Sequence, residues 1–509
     1  MPEATEPKEA QPVAESTIRL RVRSRHLMNA ALLTLLPLLI SPFLNMTRAI
    51  VIDPDVWWHM ADARILWTTH HFIWTEPYSF TVAGAQWINP EWLAEFPFYF
   101  AYAGLGLQGI YLVSWLLVAA NALFVYWRSV KLTGQGGSSL YAAGIALVMM
   151  TVNCGPRTIQ IAYLAMGLEL LILEQLERGD RRLLWLLPPL FCVWINMHGS
   201  WVIGLALFGL YIACGLIRWN MGSIQQEKFA TPLRNKLFTV FAACVAALFV
   251  NPYGWRLLWN PFDMMLNQGT NTGAVSEWKP LTFGTLEGGA VLAAVVIFVV
   301  TSCLKSRTWK AWEMGFLLFA FFAAFDHHRF AYLAAVIVTP MLAEAIKRAE
   351  ISDADEKTIP GMNFLLAAAA VVGMVLMFPS EKVLKKGLDT WFPPSLLASI
   401  EPQWRTWNWD DLGGMMTYMG KPNFIDSRFD TFEHHGILQD YLPAMYGTDS
   451  LAILDKYRID HVLVMENMPL SYLLTHTGGW HVVGREGSGS ETFVLYARNA
   501  APPAAPVQK

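Results

Sequence analysis

Long apolar stretches separated by short polar segments recur along most of the chain. A helix of roughly 18 apolar residues is long enough to cross a bilayer, and counting such stretches predicts about eleven membrane spans. They lie near residues 27–44, 106–127, 138–155, 158–176, 183–199, 201–218, 237–252, 286–304, 313–326, 330–346 and 363–379. Segment 92–103 is apolar but too short to span comfortably, so we expect an interfacial helix there.

The distribution of lysine and arginine predicts the orientation of these spans. Cytoplasmic loops are enriched in both residues, and Arg19, Arg21, Arg23 and Arg25 precede the first span. We therefore expect residues 1–26 to be a disordered, basic, cytoplasmic N-terminus. If the spans alternate from there, every cluster of cations falls on the inner side. The clusters are Arg128/Lys131, Arg178/Arg181/Arg182, Lys228/Arg234/Lys236, Lys305/Arg307/Lys310 and Lys347/Arg348.

The same alternation divides the chain into a membrane part and an outer part. Residues 27–379 form the predicted transmembrane domain, with a long first outer loop at 53–105. Residues 380–509 are less apolar and fall on the outer side. Strands are predicted at Asn423–Ile425, His461–Met465, Trp480–Val483 and Thr492–Tyr496, and helices at Ile437–Tyr446 and Leu451–Tyr457. The predicted fold class is an α-helical polytopic membrane protein with a C-terminal extracytoplasmic α/β domain.

Composition agrees with an integral membrane protein. Of the 509 residues, 54% are hydrophobic and 15% are charged, whereas roughly 25% are charged in a soluble domain. The 5 cysteines form no CxxC or CxxxC pair, so they are interpreted as packing residues. We expect a multi-pass protein of the plasma membrane with the lipid bilayer as its surroundings and no nucleic-acid partner.

Titratable and amide side chains collect in the turns on the predicted outer side. The first of these turns, Asp53-Pro54-Asp55-Val56-Trp57-Trp58-His59, directly follows the first span, and carboxylates beside hydrocarbon are costly and tend to have a role there. The outer turns together hold Asp53, Asp55, His59, Glu91, Arg157, Asn196, His198, Asn251, Tyr253, Glu277, Asp326, His328 and Arg329. Each turn alone is typical of helix capping. Their concentration on one side predicts a polar cleft.

Such a cleft suits proton abstraction from a hydroxyl beside a phosphate leaving group. We interpret Asp53, Asp55 and Glu91 as candidate catalytic residues and the other outer-turn residues as candidate substrate ligands. Arg157 and Arg329 are the candidate phosphate ligands, since guanidinium binds phosphate through paired N–H donors. Asp53 and Asp55 could also hold a divalent cation such as Mg²⁺ or Mn²⁺.

Near the C-terminus, Asp426-Ser427-Arg428-Phe429-Asp430 has two interpretations. It is an ion-paired strand end that fixes the outer domain on the membrane part, or it contacts an acceptor over the cleft. The first is favoured. His434-His435 is interpreted as solvated rather than metal-binding.

These motifs resemble the GT-C glycosyltransferase superfamily. A basic N-terminus, one span and then an acidic motif in a long first outer loop are similar to that superfamily. More specific similarity to a group of bacterial membrane proteins comes from Asp53–His59, Gln86-Trp87-Ile88-Asn89-Pro90-Glu91-Trp92-Leu93, Asn196-Met197-His198-Gly199, Asn251-Pro252-Tyr253-Gly254, Glu277-Trp278-Lys279-Pro280 and Phe424–Asp430.

The resemblance implies a bacterial inner-membrane enzyme that takes a sugar from a polyprenyl-phosphate lipid on the outer face. It implies Asp53 or Asp55 as the catalytic base or metal ligand, and a glycan, lipid or protein of the envelope as the acceptor. No sequon-reading motif like that of oligosaccharyltransferases is visible, which argues against protein N-glycosylation.

Two other functions fit the same pattern. A transporter or flippase for a lipid-linked substrate would place polar or broken helices near the bilayer midplane, where this chain has few charges. A non-catalytic assembly protein of an envelope polysaccharide system would keep the fold without the reaction. Substrate flux across the membrane would favour the first, and neutral Asp53 and Asp55 variants with a captured partner would favour the second.

Overall fold

The computed structural model describes residues 53–349 and 360–499. The predicted first span at 27–44 and the N-terminal segment 1–26 lie outside the described residues. Helices account for most of the chain up to residue 399. In chain order they are α1 (Asp55–Thr69), α2 (Phe96–Leu105), α3 (Leu107–Thr133), α4 (Gly136–Met150), α5 (Ile159–Glu177), α6 (Leu187–Ile195), α7 (Trp201–Cys214), α8 (Thr231–Ala247), α9 (Trp255–Asn267), α10 (Gly269–Ala274), α11 (Leu286–Leu304), α12 (Ala311–Asp326), α13 (Ala331–Arg348), α14 (Pro360–Met377), α15 (Glu381–Trp391) and α16 (Pro394–Ser399). A hairpin of β1 (Trp219–Met221) and β2 (Ile224–Gln226) joins α7 to α8.

Every predicted span within the described residues coincides with a helix. Among those residues, four helices are long and apolar enough to cross a membrane by length and composition, at Leu107–Thr133, Ile159–Glu177, Leu286–Leu304 and His328–Arg348. Others are shorter than their apolar stretches because turns interrupt them; α6, for example, begins with prolines and ends before the Asn196 turn. The total of about eleven spans remains a prediction from hydropathy.

The helical bundle is built around α13. In the window containing this helix, 83% of the residues are buried inside the protein, and α13 packs against α3, α4, α11 and α12. The helices α5, α12 and α13 are mostly apolar, and most of their polar residues lie near their ends, with the buried Glu169 in the middle of α5 as an exception. One end of the bundle carries the turns before α5 and α13 and the turn between α6 and α7. The candidate site lies at that end.

Residues 406–498 contain a four-stranded sheet with short helices. Its strands are β3 (Thr406–Asn408), β4 (His461–Met465), β5 (Trp480–Glu486) and β6 (Phe493–Arg498), and its helices are α17 (Asp410–Tyr418), α18 (Phe429–Glu433), α19 (Ile437–Met445), α20 (Ser450–Lys456) and α21 (Pro469–His476). The order is β3-β4-β6-β5, with β3 parallel to β4 and the other pairs antiparallel. Trp407 and Val462 are among the fully buried core residues. The sheet agrees with the α/β character predicted for the C-terminus.

Three of the four predicted strands and both predicted helices are present, with ends shifted by a few residues. The exception is Asn423–Ile425, which makes only an isolated bridge between Asn423 and Ser79 of the first loop. Asn423 therefore pairs with a segment far away in the sequence instead of joining the sheet. β3 was missed because three residues are too few to show an alternating pattern.

The sheet-containing region contacts α1 through a very close helix crossing. α17 packs along α1, and a Cβ added at Gly414 would lie 2.2 Å from the Pro54 carbonyl oxygen. Only a residue without a side chain permits this approach. The crossing places the N-terminus of α17 beside the Asp53 motif.

A buried ion-pair cluster fixes the same region on the first loop. Arg428 Nη1 donates to Glu76 Oε2 at 2.7 Å and Arg428 Nη2 donates to Asp426 Oδ2 at 2.6 Å, and all three side chains are almost fully buried. The guanidinium also lies 4.7 Å from the ring centre of Trp87. These contacts confirm the predicted ion pairing of Arg428, although the segment before it is not a strand of the sheet as predicted.

Candidate active site

The Asp53 motif is held by an arginine from a distant turn. Arg157, in the turn before α5, donates from Nε to Asp53 Oδ2 at 2.7 Å and from Nη1 to Glu277. Asp53 also accepts the backbone N–H of Asp55 through Oδ1 at 3.1 Å, which forms a tight turn at the start of α1. One guanidinium thus ties three separate loops together.

Burial shifts the pKa values of the ionisable groups in this cluster, and the neighbouring charges oppose those shifts to different extents. Burial raises the pKa of Asp53, and Arg157 limits the rise. For Glu277, burial alone would raise the pKa, but Arg157 and Arg329 outweigh it and the pKa lies below its ordinary value. The pKa of Arg157 is raised because Asp53 and Glu277 outweigh its desolvation. Arg157 therefore stays cationic, with its charge shared by two carboxylates.

Glu91 is the centre of a second group. Its Oε2 lies 3.5 Å from His59 Nε2 and accepts the hydroxyl of Thr158, and its Oε1 lies 3.4 Å from His198 Nε2. The backbone N–H of Ser200 donates to His198 Nδ1 at 2.9 Å, so the neutral imidazole carries its proton on Nε2, facing Glu91. The sequence predicted Glu91, His59 and His198 as site residues, and the structure brings them together.

Burial keeps both imidazoles of this group neutral. Burial, together with the positive charge of Arg329, lowers the pKa of His198 to about 3. Burial also lowers the pKa of His59, although Glu91 opposes it. The pKa of Glu91 is raised by burial. A carboxyl that contacts two neutral imidazoles is suited to proton transfer within the site.

A chain of buried polar groups extends inward from His59. His59 Nδ1 lies 2.9 Å from Glu95 Oε1, and Asn89 Nδ2 donates to Glu95 Oε1 at 2.7 Å and to Asp62 Oδ2 at 3.3 Å. Tyr78 O–H donates to Asp62 Oδ1 at 2.5 Å. Burial raises the pKa of both Glu95 and Asp62 well above the ordinary range. The negative charge of Glu95 raises the pKa of Asp62 further, and that of Glu91 raises the pKa of Glu95.

Four of these residues were not predicted as site residues from the sequence: Glu95, Asn89, Asp62 and Tyr78. Asp62 lies within α1 and Glu95 just before α2, among apolar and aromatic neighbours, so neither stands in a conspicuous polar turn. The feature that marks Asp62 and Glu95 is their burial in apolar surroundings, and the sequence alone does not show it.

Arg329 faces the same region with part of its guanidinium free. It lies 4.5 Å from the ring centre of Trp278, and its Nε is buried without a hydrogen-bond partner among the described residues. Its positive charge acts to lower the pKa values of Glu277, Glu91 and His198. Arg329 therefore supplies a half-buried cation, with a buried and unused Nε–H donor, at the junction of the two groups.

Two acids of α17 approach the Asp53 motif from the C-terminal region. The pKa of Asp411 is raised to about 8 by burial and by the negative charges of Asp410, Asp55 and Asp53. The pKa of Asp410 is also raised by burial, and Tyr441 O–H donates to its Oδ1 at 2.9 Å. Neither acid was predicted as a site residue, because their approach depends on the crossing of α17 and α1.

The carboxylates of the described residues do not form a metal centre in this arrangement. No group of three or more His, Cys, Asp or Glu side chains in the described ranges is placed to hold a metal ion. Asp53 is already paired with Arg157. His434, which we interpreted as solvated, lies 2.7 Å from Asp263 at a half-exposed position. The divalent cation therefore stays a sequence prediction.

Several predicted ligands have structural contacts instead. Asn196 donates to the carbonyls of Cys192 and Val250, Asn251 donates to those of Leu248 and Gly254, and Tyr253 O–H donates to that of Ile73. Asp326 is 54% exposed and its nearest ionic partner is the adjacent His327. His328 Nε2 lies 3.8 Å from Glu287 at the margin of the site. The structure thus brings Asp53, Asp55, His59, Glu91, Arg157, His198, Glu277 and Arg329 together and leaves these five at the periphery.

A cavity of about 260 Å³ opens next to the site. Trp87, Trp255 and Trp259 line it together with Asp263 and Asp430. Trp87 contacts Trp58 of the Asp53 motif edge to face, with ring centres 6.3 Å apart. Indole faces with nearby carboxylates are suited to stacking on an uncharged ring that carries hydroxyl groups.

Solved structures show a similar fold. The Archaeoglobus fulgidus oligosaccharyltransferase, tethered to an acceptor peptide containing the NVT sequon, matches with a TM-score of 0.54 and 12% identity over 92% of this chain and 74% of that chain. ArnT from Cupriavidus metallidurans, bound to undecaprenyl phosphate, matches with a TM-score of 0.51 and 14% identity over 94% of this chain and 99% of that chain. The apo form of the oligosaccharyltransferase also matches, with a TM-score of 0.52.

No family model and no curated protein matches the sequence. Both solved proteins are GT-C glycosyltransferases. At such low identities the similarity establishes the fold, and it agrees with the apolar helices of the bundle. In fold, the chain is a GT-C-like membrane protein.

Proposed function

We propose that the chain is a membrane glycosyltransferase that transfers a sugar from a polyprenyl-phosphate donor to an envelope acceptor on the outer face of the plasma membrane. One observation carries the proposal: acids, imidazoles and guanidinium groups from loops far apart in sequence meet at one end of the bundle. The GT-C-like fold supports the reaction class. The undecaprenyl phosphate bound to the ArnT structure supports a polyprenyl lipid as the donor's carrier.

We assign proton abstraction to Asp55. Asp53 is fully engaged, since Oδ2 accepts from Arg157 and Oδ1 accepts from the backbone of Asp55. Within the described part of the chain, the carboxylate of Asp55 has only a long contact of 3.4 Å with Trp58 Nε1, and it is half-buried. It is therefore the freer base, and Asp53 acts as a positioning residue that fixes the turn.

We assign the donor phosphate to Arg329. Arg157 is already paired with Asp53 through Nε and with Glu277 through Nη1, whereas Arg329 keeps a buried Nε without a partner among the described residues. In the reaction, the acceptor hydroxyl transfers its proton to Asp55 while its oxygen bonds to the anomeric carbon. The bond between that carbon and the phosphate oxygen breaks, and the departing polyprenyl phosphate retains the electron pair beside Arg329. A fixed cation at the leaving oxygen lowers the barrier.

A transfer assay tests the proposal. The protein is reconstituted in liposomes with labelled polyprenyl-phosphate sugars and an envelope extract as the acceptor. Asp55→Asn is expected to abolish label transfer, whereas Asp326→Asn, an equivalent change at the exposed periphery, leaves it intact. Full transfer by Asp55→Asn would exclude that residue as the base. Flux of the labelled lipid between leaflets without transfer would favour a transporter. Chelation of divalent cations during the assay tests the predicted cation, and loss of transfer would support it.

A further inference from the structure

A second charged cavity lies at the opposite end of the bundle from the Asp53 site. It has a volume of about 420 Å³, within the roughly 300–1,000 Å³ of ligand pockets. α5 begins beside Arg157 and ends at Glu177, and α13 begins beside Arg329 and ends at Arg348. Glu177 and Arg348 both line this cavity. The two sites are thus separated by the length of these helices.

Buried N–H donors in the wall of this cavity have no partners. Arg307 is 9% exposed and Trp312 is 8% exposed. Among the described residues, Arg307 Nε, Arg307 Nη1 and Trp312 Nε1 make no hydrogen bond. A buried donor without an acceptor costs free energy that a bound acceptor recovers. Among the described residues, no acceptor is therefore hydrogen-bonded to these three N–H groups.

The orientation of Arg307 is fixed by other contacts. Its Nη2 donates to Glu313 Oε1 at 2.7 Å, and its guanidinium carbon lies 3.8 Å from the ring centre of Trp309. The stacked indole and the carboxylate hold the guanidinium in place. Its remaining N–H groups are thereby preorganised for a ligand.

The carboxylates around the cavity are all paired with cations. The pairs are Glu174 with Arg128, Glu177 with Lys310, Glu313 with Arg307 and Glu344 with Arg348. Lys347 and Arg178 also line the cavity and donate to the backbone carbonyls of Thr133 and Lys131. Six cations thus face four carboxylates. The excess positive charge favours an anion over a cation as the ligand.

We propose that this cavity binds a phosphate group, with Arg307 and Trp312 as its hydrogen-bond donors. Phosphate offers several acceptor oxygens and a negative charge, which fit the free N–H groups and the excess of cations. The apolar part of the wall, including Leu170, Phe316 and Met341, can cover a glycerol or acyl group attached to that phosphate. The phosphate belongs either to an anionic lipid headgroup or to a free anion. The proposal does not depend on the transfer reaction.

The test compares the thermal stability of the purified full-length chain with and without each source of phosphate. One arm adds inorganic phosphate in detergent, with sodium chloride at the same ionic strength as the reference. The other arm compares nanodiscs of pure phosphatidylcholine with nanodiscs containing phosphatidylglycerol. A rise in Tm in the first arm identifies a free anion, and a rise in the second alone identifies a headgroup. No rise in either arm would overturn the proposal.

Two variants assign the effect to the cavity. Trp312→Phe keeps the ring and removes only its N–H, and we expect the apparent affinity to fall roughly fivefold, as for the loss of one hydrogen bond. Arg307→Gln removes the charge and is expected to abolish the Tm rise. Arg218→Gln, which removes an exposed ion pair with Glu227, serves as the control. A rise that persists unchanged in Trp312→Phe contradicts the proposal even if Arg307→Gln does not fold.

Discussion

Arg157 Nε lies 2.7 Å from Asp53 Oδ2, and 104 residues of chain separate the two. The same guanidinium also holds Glu277, 120 residues further along. The contact brings the first loop, the start of α5 and the loop before α11 to one point. This contact defines the candidate site, because Arg157 holds Asp53 and Asp53 in turn accepts the backbone N–H of Asp55.

Arg157→Gln is expected to destabilise the protein by about 2–3 kcal/mol, because two carboxylates lose their charged partner. The measurement is Tm in detergent. Asp53→Asn combined with Arg157→Gln should cost less than the sum of the single changes by roughly 0.5–3 kcal/mol, since the two residues interact directly. Strictly additive losses would show that the ion pair does not contribute to stability.

Gly414→Ala is expected to separate α17 from α1. The new Cβ would meet the Pro54 carbonyl oxygen at 2.2 Å, and a backbone atom cannot move aside without shifting the helix. Such overpacking costs about 1–3 kcal/mol, and the shift should also reduce label transfer. Gly478→Ala is the control, since a Cβ there meets nothing within 4 Å. Equal Tm values for the two variants would contradict the close crossing.

Arg428→Gln is expected to loosen the C-terminal region from the first loop. It leaves Glu76 and Asp426 buried without their cation, which costs about 3–5 kcal/mol. Hydrogen exchange should increase in residues 406–498 and in the loop around Glu76. Arg485→Gln removes a half-exposed pair with Glu466 and should cost about 0–1 kcal/mol. Unchanged exchange in Arg428→Gln would show that other contacts hold the region.

Asp411→Asn is expected to stabilise the protein increasingly as pH rises. The folded-state pKa of Asp411 is about 8 and its ordinary value is 3.8, so between these values the folded state retains a proton that the unfolded state has lost. Stability from this group is complete below pH 3.8 and is lost as pH rises to about 8. Asp411→Asn removes this pH-dependent loss of stability. The loss is at most about 1.4 kcal/mol per pH unit. Tm measured across this range should diverge from the wild type and run parallel above pH 8. A constant difference at every pH would contradict the raised pKa of Asp411.

The sequence predicted elements whose pattern is local. The helices α3, α5, α11 and α13 follow from unbroken apolar runs, and β4 matches its predicted bounds at His461–Met465. Asn423–Ile425 has the composition of a strand, but its partner is Ser79 in the first loop. No local pattern encodes that pairing. Whether Asn423–Ile425 joins the sheet therefore depends on which segment lies beside it in the folded chain.

The candidate site was predictable where its residues stand in polar turns between apolar helices. Asp53, Arg157, Glu277 and Arg329 share that setting. Asp411 enters the site only because Gly414 lets α17 cross α1, and Glu95 only because the first loop folds beneath His59. The proposed assignment of the base to Asp55 rather than Asp53 likewise depends on the contact between Asp53 and Arg157.

The central claim is that a polyprenyl phosphate binds with its phosphate at Arg329 beside Asp55. It is tested most directly by an experimental structure of the protein with undecaprenyl phosphate, measuring the distance from a phosphate oxygen to the Arg329 guanidinium. We expect a hydrogen-bond distance of about 2.7–3.2 Å, with the lipid tail leaving between the helices. A phosphate bound away from Arg329 and Asp55 would contradict it.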